Sequence, residues 1–344
     1  MSNRLRFPHR LRLRELCLLA IVVIATGCGG AYTLGPARQL SLGGGAISWL
    51  SPMAARDAGA IARWRAAVGS PLISQASSAS TTVPSDRLTI VSWNVALDSG
   101  NVVQLVHDIQ RDAPDRPIVL LVQEAFRSGD DVPGAVDGEY AGHLGKSRHE
   151  REIDDVAREL GFSLYYVPSM RNGAPGRHRE DRGNAVLSSV PLTDLSAIEL
   201  PFERQRRVAA AARIAGRTSS GETWSLRLVS VHLDNLAGLR SGWIASEYGR
   251  ARQARGLREA LTGEDPIVLA GDFNTWFGFS DQVYLETADA FPQTRVTDER
   301  RTFRGLLRLD HVFYRTPGDW KTEVHRAESN YGSDHYPLIT TITF

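Results

Sequence analysis

The chain has 344 residues, of which 42% are hydrophobic, 23% are charged and 8% are aromatic. This composition is typical of folded globular proteins and excludes a disordered, collagenous or multi-pass membrane chain. The net charge is +1, but residues 1–27 contain five arginines and one acid, so the remainder has 35 basic and 38 acidic residues. This balance argues against a broad basic surface that coats nucleic-acid phosphates, and it leaves room for a local basic patch.

Both cysteines lie near the N-terminus, Cys17 within an apolar run and Cys28 at its end. No downstream thiolate site can form, so any metal must be held by oxygen or imidazole. A basic stretch, the apolar run and the small residues before Cys28 resemble a bacterial export signal with a lipoprotein processing site. We predict an export signal over residues 1–27, lipidation of Cys28, and a membrane-tethered protein on the periplasmic or extracellular side of the cell envelope. An uncleaved membrane anchor is the alternative, because residues 16–37 are uncharged.

From residue 28 to residue 84 the composition shifts to glycine, alanine, serine and proline. Such a composition is typical of flexible linkers, so we predict a membrane tether over residues 28–84. Within it, the spacing of Ile61, Trp64 and Val68 predicts one short helix over residues 52–68 that docks locally.

Residues 85–344 are compatible with one large domain. Short apolar runs alternate with amphipathic segments, which indicates an α/β domain. We predict strands at residues 88–94, 118–123, 163–167, 184–188, 208–214, 225–232, 267–273, 309–314, 322–325 and 336–343. We predict helices at residues 102–111, 148–160, 246–261 and 280–290.

Several predicted strands are apolar on both faces, so we expect them inside stacked layers. Polar side chains lie at the ends of six of the apolar runs. They are Asn94, Gln123 with Glu124, His232, Asp272 with Asn274, Asp310, and Asp334 with His335. Because strand ends that lead into loops are where α/β folds collect catalytic groups, we expect these side chains to converge on one site.

The segment Gly271-Asp272-Phe273-Asn274 carries the strongest of these local signals. Side chains at positions i and i+2 of a strand point to the same side, so this carboxylate and this carboxamide can face one ligand. The other signals have plain alternatives when taken alone. An asparagine at a strand end is more often a turn former, and Glu124 could be a solvated acid.

Taken together and in chain order, seven short motifs resemble the endonuclease/exonuclease/phosphatase superfamily over roughly residues 88–344. The motifs are Ser92-Trp93-Asn94, Gln123-Glu124, residues 183–188, Val231-His232-Leu233, residues 271–274, Leu309-Asp310-His311 and Ser333-Asp334-His335. The resemblance implies the fold of deoxyribonuclease I, a four-layer α/β/β/α sandwich of two mixed sheets. It also implies a divalent metal, usually Mg²⁺ with Mn²⁺ as an alternative, and hydrolysis of phosphate esters by in-line attack of water.

The resemblance assigns metal and substrate contacts to matching residues. Glu124 matches the principal metal ligand, Asn94 a contact of metal or phosphate, and Asp334 a further metal ligand. Asn274 matches a residue that holds a phosphate oxygen. We also expect Arg182 to contact substrate, because arginine suits bidentate phosphate contacts, and the arginines of residues 203–207 could add to such a surface. For any single arginine, a solvated position is the alternative.

The resemblance also assigns the reacting groups. His335 with Asp310 matches an imidazole and acid pair, and Asp272 matches the group that orients or deprotonates the attacking water. His232 matches a second histidine, which contacts the phosphate or protonates the leaving oxygen. Elementary chemistry agrees, since an anionic phosphodiester repels hydroxide and needs a cation and fixed donors around its oxygens.

Two substrate classes remain open, a phospholipid such as the substrate of bacterial sphingomyelinases and extracellular nucleic acid. The expected partners are therefore a phosphate-ester substrate and, through the N-terminus, a membrane, and we expect a monomer. A non-catalytic binding module on the same fold is the alternative. Such a module would ordinarily lose Glu124 or His335, and both are present.

Overall fold

A computed structural model of the full chain describes residues 34–42, 45–76, 84–97, 99–134, 141–142, 151–172, 179–235 and 246–344. The predicted export signal and the predicted lipidation site at Cys28 lie outside these residues, so both stay predictions. In this described part, none of the helices combines the length and the apolar character that crossing a membrane requires.

The described residues form strands and helices that we number in chain order. The strands are β1 (Arg38–Leu42), β2 (Gly45–Leu50), β3 (Leu72–Ser74), β4 (Arg87–Asn94), β5 (Ile118–Ser128), β6 (Ala141–Gly142), β7 (Ser163–Asn172), β8 (Glu180–Ser188), β9 (Thr193–Glu199), β10 (Val208–Arg217), β11 (Thr223–His232), β12 (Ile267–Asp272), β13 (Asp310–Arg315), β14 (Lys321–Arg326) and β15 (Leu338–Thr343). The helices are α1 (Ala55–Arg65), α2 (Val102–Asp112), α3 (Ile153–Leu160), α4 (Ser246–Ala260) and α5 (Gln282–Ala290).

The strands form two sheets. The first has the order β1-β2-β9-β10-β11-β12-β13, and the second has the order β14-β15-β4-β5-β8-β7-β3 with β6 beside β7. Both sheets are mixed, because β2 with β9, β11 with β12, and β4 with β5 pair in parallel among antiparallel neighbours.

Three apolar cores show how the layers stack. The central core lies between the sheets and includes Leu121 of the second sheet and Leu228 of the first. Another core packs the second sheet against α2 and α3 through Val106 and Val156. The third core packs the outer face of the first sheet against residues of α4 and α5. This arrangement confirms the predicted four-layer α/β/β/α sandwich, and it explains why the inner strands are apolar on both faces.

All ten predicted strands and all four predicted helices are present, with ends that shift by up to five residues. The prediction missed β1, β2, β3, β6 and β9. These strands are short or contain small and polar residues, so they lack the uninterrupted apolar runs that identified the others.

The prediction of a membrane tether is wrong for residues 34–42 and 45–76. In this segment β2 pairs with β9 of the first sheet, and β3 pairs with β7 of the second. Ile47 and Trp49 lie in the central core. Glycine, alanine and serine suit a close-packed strand as well as a linker, and these two large apolar side chains decide between the possibilities.

The predicted helix in this segment is present as α1, with Ile61 and Trp64 buried. Arg65, at its end, forms an ion pair with the fully buried Glu199 of β9. The folded body therefore begins well before residue 85, and a fragment that starts there would lack three strands.

Candidate active site

Three neighbouring strands of the first sheet place three titratable residues in one row. His232 ends β11 and pairs with Asp272 at the end of β12, and Asp272 pairs with Asp310 at the start of β13. Gly271 allows β11 and β12 to approach closely, since a Cβ atom there would lie 1.8 Å from the Val231 carbonyl oxygen. The register of the sheet thus brings together residues that are far apart in sequence.

The second sheet contributes Asn94, which ends β4, and Glu124, which lies in β5. Asn94 pairs with Gln123, and a β-bulge between Gln123 and Ala125 leaves Glu124 out of the ladder with a φ of 57°. A bulge re-aims a side chain, and a left-handed backbone at a non-glycine residue persists only where the surroundings impose it. Local strain in β5 therefore sets the direction of the Glu124 carboxylate.

His335 lies just before β15 and joins the two sheets. Its Nδ1 atom is 2.8 Å from Asp310 Oδ2, and its Nε2 atom is 3.8 Å from Asp272 Oδ2. Its backbone N–H donates to Ser333 Oγ at 3.0 Å, and that hydroxyl donates to the Asn94 carbonyl oxygen at 2.7 Å. The imidazole is thus fixed through both its ring and its backbone.

The buried charges shift the pKa values of this group strongly. Burial alone would lower the pKa of His335, but the charges of Asp310, Asp272 and Asp334 raise it to about 10. Burial and then the charge of Asp310 raise the pKa of Asp272 to about 7. At neutral pH, His335 is therefore a cation and Asp272 exchanges a proton readily.

Two amides hold Asp272 in place. Asn94 Nδ2 donates to Asp272 Oδ2 at 3.0 Å, and the Asn274 backbone N–H donates to Oδ1 at 2.9 Å. The Asn274 side chain donates to the Leu233 carbonyl oxygen at 3.0 Å, and Asn94 Oδ1 accepts from the Ala96 N–H at 3.0 Å. The observed contacts of both asparagines therefore orient the site, and their predicted contacts with metal or phosphate remain predictions.

The other side of the site is more open. Glu124 Oε2 lies 3.6 Å from Arg182 Nη1, and the Glu124 side chain is 22% exposed. The Asp334 side chain is 33% exposed and lies 3.3 Å from Arg304 Nη2. Asp272, Asp310 and His335 are hereafter the closed half of the site, and Glu124, Asp334 and Arg182 are the open half.

His232 connects the two halves. Its Nε2 atom is 3.4 Å from Asp272 Oδ2, and its Nδ1 atom is 3.9 Å from Glu124 Oε1. Burial and then the positive charges of Arg207, Arg182 and His335 lower the pKa of His232 well below its ordinary value. The two histidines therefore carry different charges at neutral pH, His335 as a cation and His232 as a neutral ring.

All nine predicted site residues belong to one network in which each lies within 4 Å of another member. They are Asn94, Glu124, Arg182, His232, Asp272, Asn274, Asp310, Asp334 and His335. The structure thus brings the predicted residues together, while their individual roles remain predictions.

Oxygen ligands suitable for a divalent cation are present in both halves. Asp272, Asp310 and His335 each offer a ligand atom within 4.8 Å of the others. However, the Nδ1 atom of His335 is already hydrogen-bonded to Asp310, so the oxygen donors in this group are the carboxylates of Asp272 and Asp310. Glu124 and Asp334 add partly exposed carboxylates, which are hard oxygen donors, so the residue types present fit Mg²⁺ or Mn²⁺.

The structure places a further arginine beside the site. Arg207 is 5% exposed, and its Nη2 atom donates to Gln205 Oε1 at 2.9 Å. Among the described residues its Nε atom has no hydrogen-bond partner, as is also true of Arg182 Nε. The charge of Arg207 interacts most strongly with that of Asp234, and then with those of Arg182, Glu124 and Asp272.

The three arginines that the sequence grouped together have different surroundings. Arg206 pairs with the buried Glu199 at 2.8 Å, and Arg204 is exposed. In the sequence, Arg207 differs from the other two arginines only in that it directly precedes the buried strand β10. Arg182 lies within β8 and is 9% exposed, so its alternative interpretation as a solvated residue is wrong.

The sequence matches the model of the Endonuclease/Exonuclease/phosphatase family over residues 91–335. The chain belongs to this family. The match begins in β4 and ends at His335, so it spans the strands that carry the site, and it confirms the family indicated by the ordered motifs.

Two curated proteins match part of the chain. A UPF0294 protein of Vibrio vulnificus (strain YJ016) is 34% identical over 113 residues, which cover 32% of this chain and 38% of that protein. A UPF0294 protein of Vibrio cholerae is 33% identical over 143 residues, which cover 40% of this chain and 46% of that protein. The chain thus spans less than half the length of these curated relatives.

A solved structure of an endonuclease/exonuclease/phosphatase from Beutenbergia cavernae DSM 12333 has the same fold. It superposes with a TM-score of 0.53 at 18% identity, over 75% of this chain and 72% of that chain. At this identity, the likeness supports the fold alone.

Proposed function

We propose that this family member is a metal-dependent phosphoesterase that hydrolyses an anionic phosphodiester. The observation that carries the proposal is the closed half, in which a buried imidazolium lies 3.8 Å from a buried carboxylate whose pKa is about 7. A carboxylate with a pKa near the operating pH is suited to general base catalysis. Strongly shifted pKa values of buried groups beside a charged partner cluster at functional sites.

In the proposed reaction, Asp272 accepts a proton from the attacking water as the water oxygen bonds to phosphorus. The bond from phosphorus to the leaving oxygen breaks, and that oxygen keeps the electron pair. It takes up a proton from solvent, which reaches the partly exposed open half. The hydrogen bonds from Asn94 and Asn274 hold the Asp272 carboxylate ready for this transfer.

The two histidines serve the reaction differently because their charges differ. His335, as a cation held by Asp310, stabilises negative charge that develops on the phosphoryl oxygens. His232, as a neutral ring, donates a hydrogen bond to a phosphoryl oxygen and is too weak an acid to supply a proton to the leaving group. This division supports the phosphate-contact role among the two roles predicted for His232.

The open half suits a metal and the phosphate anion. Glu124 and Asp334, together with Asn94, would hold Mg²⁺ or Mn²⁺, which when bound neutralises charge on the phosphoryl oxygens. Arg182 and Arg207 present buried guanidinium groups next to this position. An unpaired guanidinium N–H at a buried site favours an anionic ligand such as phosphate.

The test is turnover by the purified full-length chain, because truncation at residue 85 would remove β1, β2 and β3. Bis-p-nitrophenyl phosphate, plasmid DNA and sphingomyelin vesicles serve as separate substrates, each with Mg²⁺ and with EDTA. We expect Mg²⁺-dependent hydrolysis of the first, and the other two distinguish a nuclease from a lipid phosphodiesterase. Failure to hydrolyse any of them with Mg²⁺ would favour the non-catalytic binding module.

We also propose that the protein is exported and tethered to the membrane through lipid on Cys28. The basic, apolar and small-residue regions before this cysteine support the proposal. Incorporation of a labelled fatty acid into the wild type, and its loss in Cys28→Ser, is the expected result. Labelling that persists in Cys28→Ser would contradict lipidation at this residue.

A further inference from the structure

Residues 302–307 form a short segment, the 302–307 strap. It lies between the start of β13, which contains Asp310, and the segment before β15 that contains His335. The Thr302 N–H donates to the Leu307 carbonyl oxygen at 2.8 Å, which closes the strap on itself. The Thr302 carbonyl oxygen accepts from the Tyr336 N–H at 2.8 Å, directly after His335.

The side chain of Thr302 binds the other partner of this pair. Its Oγ1 atom accepts from the Leu309 N–H at 3.1 Å and from the Asp310 N–H at 3.2 Å. Thr302 is fully buried, so no water can replace this oxygen as the acceptor of both amides. One residue therefore fixes the backbone on both sides of the Asp310–His335 hydrogen bond.

The next two residues of the strap also contact the site. The Phe303 ring lies against the His335 ring with centroids 4.9 Å apart. The Arg304 N–H donates to the Asp334 carbonyl oxygen at 2.8 Å. The strap thus borders the closed half, and Thr302 is its point of attachment.

We propose that Thr302 is a positioning residue that sets the geometry of the Asp310–His335 pair. For catalysis this inference rests on the proposed phosphodiesterase activity, because Thr302 itself touches none of the reacting groups. Without the hydroxyl oxygen, two buried N–H groups lose their acceptor and the start of β13 must shift. A small displacement of Asp310 weakens its hydrogen bond to the imidazole and rotates the ring away from Asp272.

The test compares Thr302→Val, which keeps the shape and removes the oxygen, with Thr302→Ser, which keeps the oxygen. Thr294→Val is the matched control, since Thr294 Oγ1 accepts from the Tyr314 N–H at 2.9 Å on the same strand but far from the pair. Thr302→Ala also removes the hydroxyl oxygen and has a smaller side chain. It replaces Thr302→Val if that variant does not fold.

Two readouts are used. For hydrolysis of bis-p-nitrophenyl phosphate, we expect Thr302→Val to lower kcat about 10- to 100-fold with KM unchanged, as for other residues that orient a catalytic group. By proton NMR, we expect the downfield resonance of the His335 Nδ1 proton, assigned by its loss in Asp310→Asn, to shift or broaden in Thr302→Val. Thr302→Ser and Thr294→Val should leave both readouts near wild type.

The inference is overturned if Thr302→Val keeps the resonance unchanged, or if its kcat falls no further than that of Thr294→Val. A wild type without turnover would instead defeat the proposed function, and the resonance would still decide whether Thr302 positions the pair.

Discussion

The two halves of the site differ in how many of their polar groups already have partners within the protein. In the closed half, Asp272, Asp310 and His335 are at most 4% exposed and share hydrogen bonds or close ion pairs. In the open half, the Glu124 side chain is 22% exposed, and its two charged neighbours, Arg182 and His232, lie 3.6 Å and 3.9 Å away. The closed half is therefore built by the fold alone, while the open half has oxygen and nitrogen atoms available for ligands.

This difference has a physical reason. Groups that move protons and stabilise charge act best when the protein has already oriented them, because no reorganisation is then needed during the reaction. Groups that bind a cation and an anion must instead stay accessible to both. Four measurements test this difference between the halves.

The largest effect is expected for His335→Gln in the closed half. The substitution keeps a polar side chain but removes the cation, so we expect kcat for bis-p-nitrophenyl phosphate to fall by about 10²- to 10³-fold. His325→Gln, on the exposed face of β14, is the matched control and should keep the wild-type rate. A His335→Gln variant with more than a tenth of the wild-type kcat would rule out this role.

A smaller loss of activity is expected for Glu124→Gln in the open half, about 100-fold in kcat/KM, at the upper end of the effects seen when a metal site is disturbed. Its distinctive result is in binding. Added Mg²⁺ should raise the melting temperature of the wild type, because a ligand that binds only the folded state stabilises it, and this rise should vanish in Glu124→Gln. The exposed Glu222→Gln should keep the rise. An equal rise in the Glu124 variant would show that the metal binds elsewhere.

Arg207→Gln should weaken substrate binding more than it slows the chemical step. A hydrogen bond to a charged group contributes about 1.5–3 kcal/mol, so we expect kcat/KM to fall about 10- to 100-fold, mainly through KM. Steady-state kinetics with Arg204→Gln as the exposed control measures this. If both variants behave alike, Arg207 does not bind the phosphate.

The fourth prediction concerns stability instead of activity, through its dependence on pH. The pKa of His335 is about 10 in the folded protein and 6.5 in the unfolded chain, so protonation of this ring stabilises the fold fully below pH 6.5. That stabilisation is lost as the pH rises to 10. In urea titrations, the difference in unfolding free energy between wild type and His335→Gln should therefore shrink from pH 6 to pH 10. A constant difference would contradict the raised pKa.

The sequence predicted the fold where burial leaves a clear pattern. Inner strands such as β5 and β12 are apolar on both faces, so their positions and the polar residues at their ends could be found without coordinates. The N-terminal segment was misassigned because Ile47 and Trp49 are isolated among small residues. Composition alone could not show that they fill the space between the sheets.

The sequence predicted which residues form the candidate site, but it did not predict the contacts between them. The hydrogen bond from Asn94 to Asp272 joins the two sheets, so it depends on how they stack and no local pattern encodes it. For the same reason Arg207 could not be singled out among the arginines of residues 203–207, and Thr302 escaped detection, since each acquires its role from neighbours that are distant in sequence. The different charge states of His232 and His335 arise only from burial and nearby charges.

The most direct measurement is hydrolysis of bis-p-nitrophenyl phosphate by the full-length chain, with Mg²⁺ and with EDTA, for the wild type, His335→Gln and Glu124→Gln. We expect Mg²⁺-dependent turnover in the wild type and loss of turnover in both variants. Mg²⁺ binding should be retained in the wild type and in His335→Gln and should be lost in Glu124→Gln. Full activity in EDTA, or loss of Mg²⁺ binding in His335→Gln with retention in Glu124→Gln, would contradict the proposed function.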